Sequence, residues 1–440
     1  MNPRYEETTE WLFTQLPMFQ RVGASAYKPG LDTARGLASM FGNPHRKLRT
    51  IHVAGTNGKG STSSTIAAIL TAAGMKTGLY TSPHLVDFRE RIRINGRMIT
   101  EDAVVEFVDR YRSMTMDSPS FHPSFFELAT IMAFDYFARE GVDVAVIEVG
   151  LGGRLDTTNI ITPDLSVITN ISLDHTALLG TTRREIAAEK AGIIKPGIPV
   201  VIGEADEEVR PVFEEVARRV GAPVVFAEDE KPILKAEEQN DGITYETKYY
   251  RRFKGELRGE CQVLNAATIL TAIKCLEDAG YPNITGDAVA RGFAGVGHLS
   301  GLTGRWTQVC DNPVVIADTG HNIGGWEHTV NDLNRIPTLK TLVLGFVNDK
   351  DVSAILQCIS RVRNAEVIFT NASVDRALPA AELQARAAGL GVTGRCISGV
   401  SEAAATAIDE ARRSGATVFV GGSNFVVGDF LAHFNSELQQ

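Results

Sequence analysis

In the segment Ile51-His52-Val53-Ala54-Gly55-Thr56-Asn57-Gly58-Lys59-Gly60-Ser61-Thr62, an apolar run turns through glycines into a lysine, two hydroxyls and a helix-forming stretch. Those residue types in that order suit the binding of phosphate. Glycines let backbone N–H groups converge on phosphate oxygens, Lys59 adds a point charge, and a following helix adds the positive end of its dipole. Ser61 follows Lys59 by two positions, so its hydroxyl could enter a Mg²⁺ shell. Val53 stands where the general GxxxxGK[ST] pattern has its first glycine. The plainer alternative is a glycine-rich turn that binds nothing.

A second set of residues could hold a divalent metal beside such phosphates. Glu148 ends an apolar run, Val142–Val149, just before Gly150-Leu-Gly-Gly-Arg-Leu-Asp156, and His175 follows the run Leu165–Ile171. The carboxyl ends of parallel strands are where ligands bind in open α/β sheets, and a carboxylate and an imidazole there can take a divalent cation. Taken alone, Glu148 reads equally as half of a structural ion pair, and His175 as a satisfied polar residue. Lys190, in Ala188-Glu189-Lys190-Ala191-Gly192, falls in the last turn of a short helix, where a lysine ordinarily complements the helix dipole. Asp318 and His321, in Asp318-Thr319-Gly320-His321-Asn322, could orient a substrate or shuttle a proton. Alternatively, Asp318 and Asn322 cap the next helix. Arg305, beside a glycine-rich stretch, could swing onto phosphates or remain a solvated interdomain arginine.

These residues need a scaffold that brings strand ends together. Short apolar runs, including Thr50–Val53, Thr77–Ser82, Ile198–Ile202 and Pro223–Ala227, alternate with helical periods at Ser61–Ala73, Thr100–Arg112, Phe125–Glu140, Arg183–Ala191, Glu208–Val220 and Val263–Leu276. That rhythm predicts an α/β fold with a parallel sheet covered by helices on both faces. The stretch from 228 to 260 is polar, aromatic and alternating, and predicts hairpins at the edge of the domain. Gly292–Gly304 is glycine-rich and reads as a linker. Beyond it the rhythm restarts, with strands at Val314–Ala317, Thr341–Phe346, Val367–Thr370 and Val418–Val420. Helices are predicted at Trp326–Asn334, Val352–Val362, Ala380–Ala388 and Ser401–Arg413. Two domains are expected, 1–304 and 305–440.

Composition bounds the function classes. The chain has 440 residues, 44% hydrophobic and 22% charged, the balance of an ordinary globular protein. A net charge of −9 argues against bulk binding of nucleic acid or anionic membrane. The N-terminus is polar, without the apolar core of a signal peptide, and no apolar run reaches the roughly 18 residues needed to span a bilayer. Cys261, Cys275, Cys310, Cys358 and Cys396 are scattered without a CxxC pair and read as reduced thiols. A cytoplasmic monomer is expected, with no nucleic-acid or membrane partner.

The motifs together resemble the folylpolyglutamate synthase/dihydrofolate synthase family, within the Mur-type ATP-dependent amide ligases. The resemblance runs from about Ala26 to Asp429. It is carried in order by Gly55-Thr-Asn-Gly-Lys-Gly-Ser61, Thr81-Ser82-Pro83-His84-Leu85, Phe126-Glu127, Glu148-Val-Gly-Leu-Gly-Gly-Arg-Leu-Asp156-Thr-Thr-Asn159 and Asp174-His175. Glu189-Lys190-Ala-Gly-Ile-Ile-Lys-Pro196, Gln262-Val-Leu-Asn265, Gly304-Arg305 and Asp318-Thr-Gly-His321-Asn322 complete it. The resemblance implies a P-loop ATPase domain with a mostly parallel sheet and a smaller C-terminal Rossmann-like α/β domain.

It further implies that Thr56, Asn57, Gly58, Lys59, Gly60, Ser61, Asn265 and Arg305 bind ATP. By the same resemblance, Ser82 and Glu148 hold one Mg²⁺, and His175 and Lys190 hold a second, Lys190 being carbamylated. Carbon dioxide would turn a repelling cation into an anionic oxygen ligand. Asp156 and Phe126 would line the pterin or folate site. Asp318 and His321 would face the incoming amino acid, with Lys59, Lys190, His321 and Asp318 carrying the catalysis. Lys350 is a further candidate near the ligation chemistry. The implied partners are ATP, L-glutamate, dihydropteroate and tetrahydrofolates, joined through an acyl phosphate as two domains close. Two departures stand out. The family commonly has Asp-Gly-Ala-His-Asn-Pro where this chain has Asp318-Thr-Gly-His-Asn-Ile323, and Thr157 replaces a usual alanine.

Overall fold

A computed structural model describes residues 2–17, 30–116, 122–239, 241–348 and 352–438. The chain divides into two compact units. The first comprises Met1–His84, Phe88–Glu256 and Gln262–Leu302; the second comprises Leu85–Asp87, Leu257–Cys261 and Thr303–Gln440. Among the described residues no helix is long and apolar enough to cross a membrane.

The first unit is built on an eight-stranded sheet. Its strands are β1 (Thr50–Ala54), β2 (Thr77–Tyr80), β3 (Ile92–Ile94), β4 (Arg97–Met98), β5 (Val144–Glu148), β6 (Leu165–Ile168), β7 (Val200–Ile202) and β8 (Val224–Phe226). They lie in the order β4-β3-β2-β5-β1-β6-β7-β8, parallel from β2 to β8, with β3 and β4 antiparallel at one edge. Every residue of β1 and β5 is buried, as expected of strands covered on both faces. The pleat divides β5 between two cores. Val144 and Val146 join helices Lys59–Ala72 and Cys261–Asp278, while Ala145 and Ile147 join helix Phe125–Glu140. A third cluster packs Ile168 and Ile202 against helices Arg183–Ala191 and Arg210–Val220.

The hairpins expected between 228 and 260 are a three-stranded antiparallel sheet, β9 (Ile233–Gln239), β10 (Gly242–Thr247) and β11 (Phe253–Gly255). Ile243, Tyr245 and Phe253 enter the core beside helix Cys261–Asp278. The linker expected at Gly292–Gly304 is instead largely helical, in Gly286–Ala294 and Val296–Ser300. Gly292 is there for contact: a Cβ on it would lie 2.5 Å from Ile69 Cγ1 and 2.6 Å from Ile69 Cα. Composition alone cannot distinguish a glycine that bends from a glycine that lets two helices touch. The N-terminal helices Pro3–Gln15 and Asp32–Met40 were not anticipated by any strong period.

The second unit carries a six-stranded sheet: β12 (Thr307–Asp311), β13 (Val314–Asp318), β14 (Lys340–Leu344), β15 (Ala365–Phe369), β16 (Gly394–Cys396) and β17 (Thr417–Gly421). The order is β12-β13-β17-β14-β15-β16, parallel except for β12. The helices Ile323–Arg335, Val352–Ile359, Ala380–Ala388 and Val400–Ser414 match the expected rhythm, and Asn424–Leu438 extends it. The edge strands β12 and β16 are half-exposed and gave no apolar run to read.

Candidate active site

β1 is central in its sheet, with β5 on one side and β6 on the other. The loops leaving the carboxyl ends of these three strands converge. The first is the glycine-rich turn, closed at two places that tolerate no side chain. Gly55 has φ +147°, and a Cβ there would lie 1.8 Å from Thr169 Oγ1. Gly58 has φ +80°, and its Cβ would lie 2.2 Å from Asn265 Oδ1. Thr169 and Asn170, just past β6, hold the turn: Thr56 N donates to Asn170 O at 2.9 Å and Asn57 N to Asn170 Oδ1 at 3.0 Å. Sequence reasoning missed this pair, because the predicted strand Leu165–Ile171 included both residues, whereas the strand ends at Ile168.

Lys59 begins helix Lys59–Ala72, and its ammonium donates to the carbonyls of Gly55 (3.0 Å) and Thr56 (3.1 Å). Gly60 takes the next helical position, and Ser61 is buried, 3.3 Å from Gln262 Nε2. Asn265 Nδ2 donates to Gln262 Oε1 at 3.0 Å. Asn265 is thus fixed on helix Cys261–Asp278, directly over Gly58.

Glu148, at the end of β5, is 2% exposed and accepts from Ser82 N at 3.3 Å. The expected metal pair Ser82 and Glu148 are therefore neighbours. Buried Arg91 also lies within electrostatic reach of Glu148, so the ion-pair reading of that carboxylate has a partner as well. Lys190 is 4% exposed. Burial first, and then nearby Lys59, push its ammonium down to about 7, against the pull of Asp174, Asp156 and Glu189. On the loop after β6, His175 takes φ +49°, and its backbone N–H donates to Asp174 Oδ1 at 2.8 Å.

Among the described residues no group of three or more His, Cys, Asp and Glu side chains gathers for a metal. Mg²⁺ is usually held by one or two carboxylates with phosphate and water oxygens rather than by a complete protein cage, and Glu148 beside Ser82 offers such a carboxylate. An amine near neutrality at pH 7 also fits carbamylation, since only the uncharged form attacks carbon dioxide.

Phe126 packs against the Gly150 loop. A Cβ on Gly150 would meet the Phe126 ring at 2.4 Å. The ring is held by helix Phe125–Glu140, whose start is a reciprocal cap between Ser124 and Glu127. Asp156 is buried, and its carboxylate is occupied by its own loop. It accepts from Leu151 N at 2.8 Å, Thr158 N at 3.0 Å and the Thr158 hydroxyl. His52 Nε2 lies 2.9 Å from that same hydroxyl. Thr158 has one proton and gives it to Asp156, so His52 donates from Nε2. No sequence signal marks His52, which reads as part of a strand.

In the second unit Asp318 ends β13. Its oxygens accept from Trp306 N and Gly320 N, both at 2.8 Å, and burial pushes its carboxyl up. Arg305 and His321 both lie within electrostatic reach of it. His321 Nδ1 is 3.0 Å from Thr319 O. A carbonyl can only accept, so Nδ1 carries the proton and a neutral ring has its lone pair on Nε2. Thr319, one of the departures noted above, accepts from Arg305 Nη1 and donates to Gly304 O at 3.0 Å. A glycine could not anchor the arginine this way. Asn322 caps helix Ile323–Arg335 through Gly325 N at 2.9 Å, as the plainer reading of this loop expected. Lys350 lies outside the described residues.

Comparison with known proteins agrees with this layout. The Mur ligase middle domain matches residues 53–273, and the Mur ligase glutamate ligase domain matches residues 304–424. The dihydrofolate synthase/folylpolyglutamate synthase of Bacillus subtilis is 33% identical over 86% of this chain and 88% of its own length. That of Escherichia coli is 35% identical, over 80% of each. The solved Mycobacterium tuberculosis folylpolyglutamate synthase complexed with ADP superposes with a TM-score of 0.87, at 29% identity and 98% coverage of both chains. The chain belongs to the folylpolyglutamate synthase/dihydrofolate synthase family of the Mur ligases.

Proposed function

We propose that this chain forms an amide between the amino group of L-glutamate and a carboxylate of dihydropteroate or of a tetrahydrofolate glutamate, with ATP cleaved to ADP and phosphate. Relatives bearing these two activities in their names, and a solved Escherichia coli relative in complex with DHPP and ADP, support ATP-dependent glutamate ligation to folates. The observation that carries the reading is the glycine-rich loop at the carboxyl end of β1, where Gly55 and Gly58 take positive φ and Lys59 caps the turn.

The carboxylate oxygen of the pteroate attacks the γ-phosphorus and ADP departs, leaving an acyl phosphate. The amine nitrogen of glutamate then attacks the acyl carbon and phosphate departs. Thr56, Asn57, Gly58 and Gly60 present backbone N–H groups to the phosphates, and Lys59 and Ser61 add a charge and a hydroxyl. Such positioned charge is where most catalysis of phosphoryl transfer lies. Lys59 must exchange its two loop carbonyls for phosphate oxygens. Ser82 and Glu148 would hold one Mg²⁺, and His175 with carbamylated Lys190 a second. When bound, these ions neutralise charge on the transferring phosphoryl group. Asn265 and Arg305 are assigned to ATP, and Phe126 with the Asp156 loop to the pterin. His321 takes the proton of the glutamate ammonium on Nε2, and Asp318 stabilises the imidazolium that forms. We assign residues 1–304 to nucleotide and folate and 305–440 to glutamate.

The test is ADP release with MgATP and L-glutamate, adding dihydropteroate or tetrahydrofolate. Release that requires glutamate together with one pterin is expected, and the two acceptors separate the two activities. Release indifferent to both would overturn the assignment. Carbamylation is read separately, by ¹³C NMR in ¹³C-bicarbonate. A carbamate resonance absent from Lys190→Ala is expected, and no resonance in the unaltered protein would refute it while leaving the ligase reading intact.

A further inference from the structure

The first unit contains a cavity of about 640 Å³ that none of the assigned residues lines. That volume lies within the range of small-molecule sites. Its walls come from helix Asp32–Met40, the turn Pro44–Lys47 with its flanks, and the segment after Asn159. These residues stand before the N-terminal ends of β1 and β6, whereas the phosphate loop leaves the carboxyl end of β1. A five-residue strand spans about 17 Å, so the cavity and the loop open at opposite edges of the sheet.

The lining is cationic. Arg35 and Arg46 both contribute, and among the described residues no carboxylate does. The Arg46 guanidinium makes no hydrogen bond or ion pair with a described residue, and Arg35 has only a 3.8 Å contact with fully exposed Asp32. Lys195 lies near enough to Arg35 for the two charges to interact, which adds a third cation at this edge. His45, 9% exposed, also lines the cavity, and its ring adds a polar group to the wall. Leu48 and Ile160 supply an apolar wall.

We propose that this cavity binds a small organic or inorganic polyanion, through at least two carboxylate or phosphate groups held by Arg35 and Arg46. Paired guanidiniums match both carboxylate and phosphate geometry. Ile160 closes the Thr157–Ile160 turn that Asp156 opens, so an occupied cavity also touches the far end of the loop assigned to the pterin.

The test is calorimetric titration of the full chain, in saturating MgADP, with γ-linked triglutamate and separately with inorganic pyrophosphate. At least one is expected to bind at one site per chain, and to weaken tenfold or more in Arg35→Ala/Arg46→Ala. Both arginines are exposed, so the fold should survive, and an unshifted melting temperature checks that. Ile160→Glu, which brings a carboxylate into the wall, is expected to abolish the same binding independently. Binding of triglutamate alone assigns a polycarboxylate ligand, and of pyrophosphate alone a phosphate ligand. No binding of either, or binding that both variants leave unchanged, overturns the proposal. Glutamate-dependent ADP release is read apart from this titration, so either conclusion can fail alone.

Discussion

Gly58→Ala tests the geometry of the phosphate loop directly. Two costs arise at this position. Gly58 has φ +80°, a left-handed conformation that costs an L-residue about 1–2 kcal/mol. Its new Cβ would also lie 2.2 Å from Asn265 Oδ1. Asn265 is 5% exposed and tied to Gln262 at 3.0 Å, so it can move only by giving up that hydrogen bond, worth about 0.5–1.5 kcal/mol net. Together the substitution should cost roughly 1.5–3.5 kcal/mol, or about 3–7 °C in melting temperature for a unit of this size. On an Asn265→Ala background the obstruction is gone and only the dihedral cost remains, about 2–4 °C. The assay is differential scanning calorimetry of the four proteins of the cycle, with MgADP titrations alongside. Affinity for MgADP should fall in Gly58→Ala and recover no more than partly in the double variant, which lacks Asn265. Equal losses on both backgrounds would refute the close approach of Asn265. A loss below about 1 °C on both would refute the left-handed conformation itself.

Other substitutions probe other parts of the molecule. Gly292→Ala should destabilise by about 1–3 kcal/mol, because the methyl meets the backbone of Ile69 at 2.6 Å; an unchanged melting temperature would return this stretch to a linker. Lys190 is charged in the unfolded chain up to about pH 10 but in the folded protein only below about 7, so its burial costs stability that is recovered as pH rises. In metal-free, CO₂-depleted buffer, the stability gap between Lys190→Met and the unaltered protein should therefore narrow by roughly 2–3 kcal/mol from pH 6 to pH 9, and a gap constant with pH would contradict the buried neutral amine. Asp318→Asn leaves one oxygen for two N–H donors, so glutamate-dependent ADP release should fall on the order of 10²-fold, with a stability loss of about 1–3 kcal/mol; steady-state kinetics and calorimetry read the two effects.

Much of the fold was legible because parallel strands buried on both faces are short unbroken apolar runs. β1, β5 and β14 are buried at every residue, and each was visible. The half-exposed edges β12 and β16 have no such run. Helix Phe125–Glu140 was legible from its period, and the structure adds the Ser124–Glu127 cap at its start, which was not read. What could not be read was whatever a distant partner decides. The role of Gly292 depends on Ile69, and that of Gly58 on Asn265, which is 207 positions away by subtraction of the residue numbers. A helix of nine residues does not say which of its faces is buried, so the desolvation of Lys190 was invisible. The proton on His321 Nδ1 needs the position of the Thr319 carbonyl. The cationic cavity joins Arg35 and Arg46 to Ile160, more than a hundred residues apart, and no motif spans that gap.

The second unit also draws two short pieces, Leu85–Asp87 and Leu257–Cys261, from within the run of the first. They are structural parts. A Cβ on Gly428 would meet Leu85 O at 2.4 Å, and the Asp332 carboxylate, 6% exposed, accepts from Glu260 N at 3.2 Å. This makes the protein poor material for modular exchange. A recombination event or an engineered fusion that takes the chain from Thr303 onward would carry the sheet and the Asp318–His321 loop but cost Asp332 its Glu260 partner and strip the cover from Gly428. Chimaeras among relatives should therefore tolerate crossover points only where these two inserts travel with the C-terminal half, and inheritance of this unit as a single block of sequence is closed by the path of its own backbone.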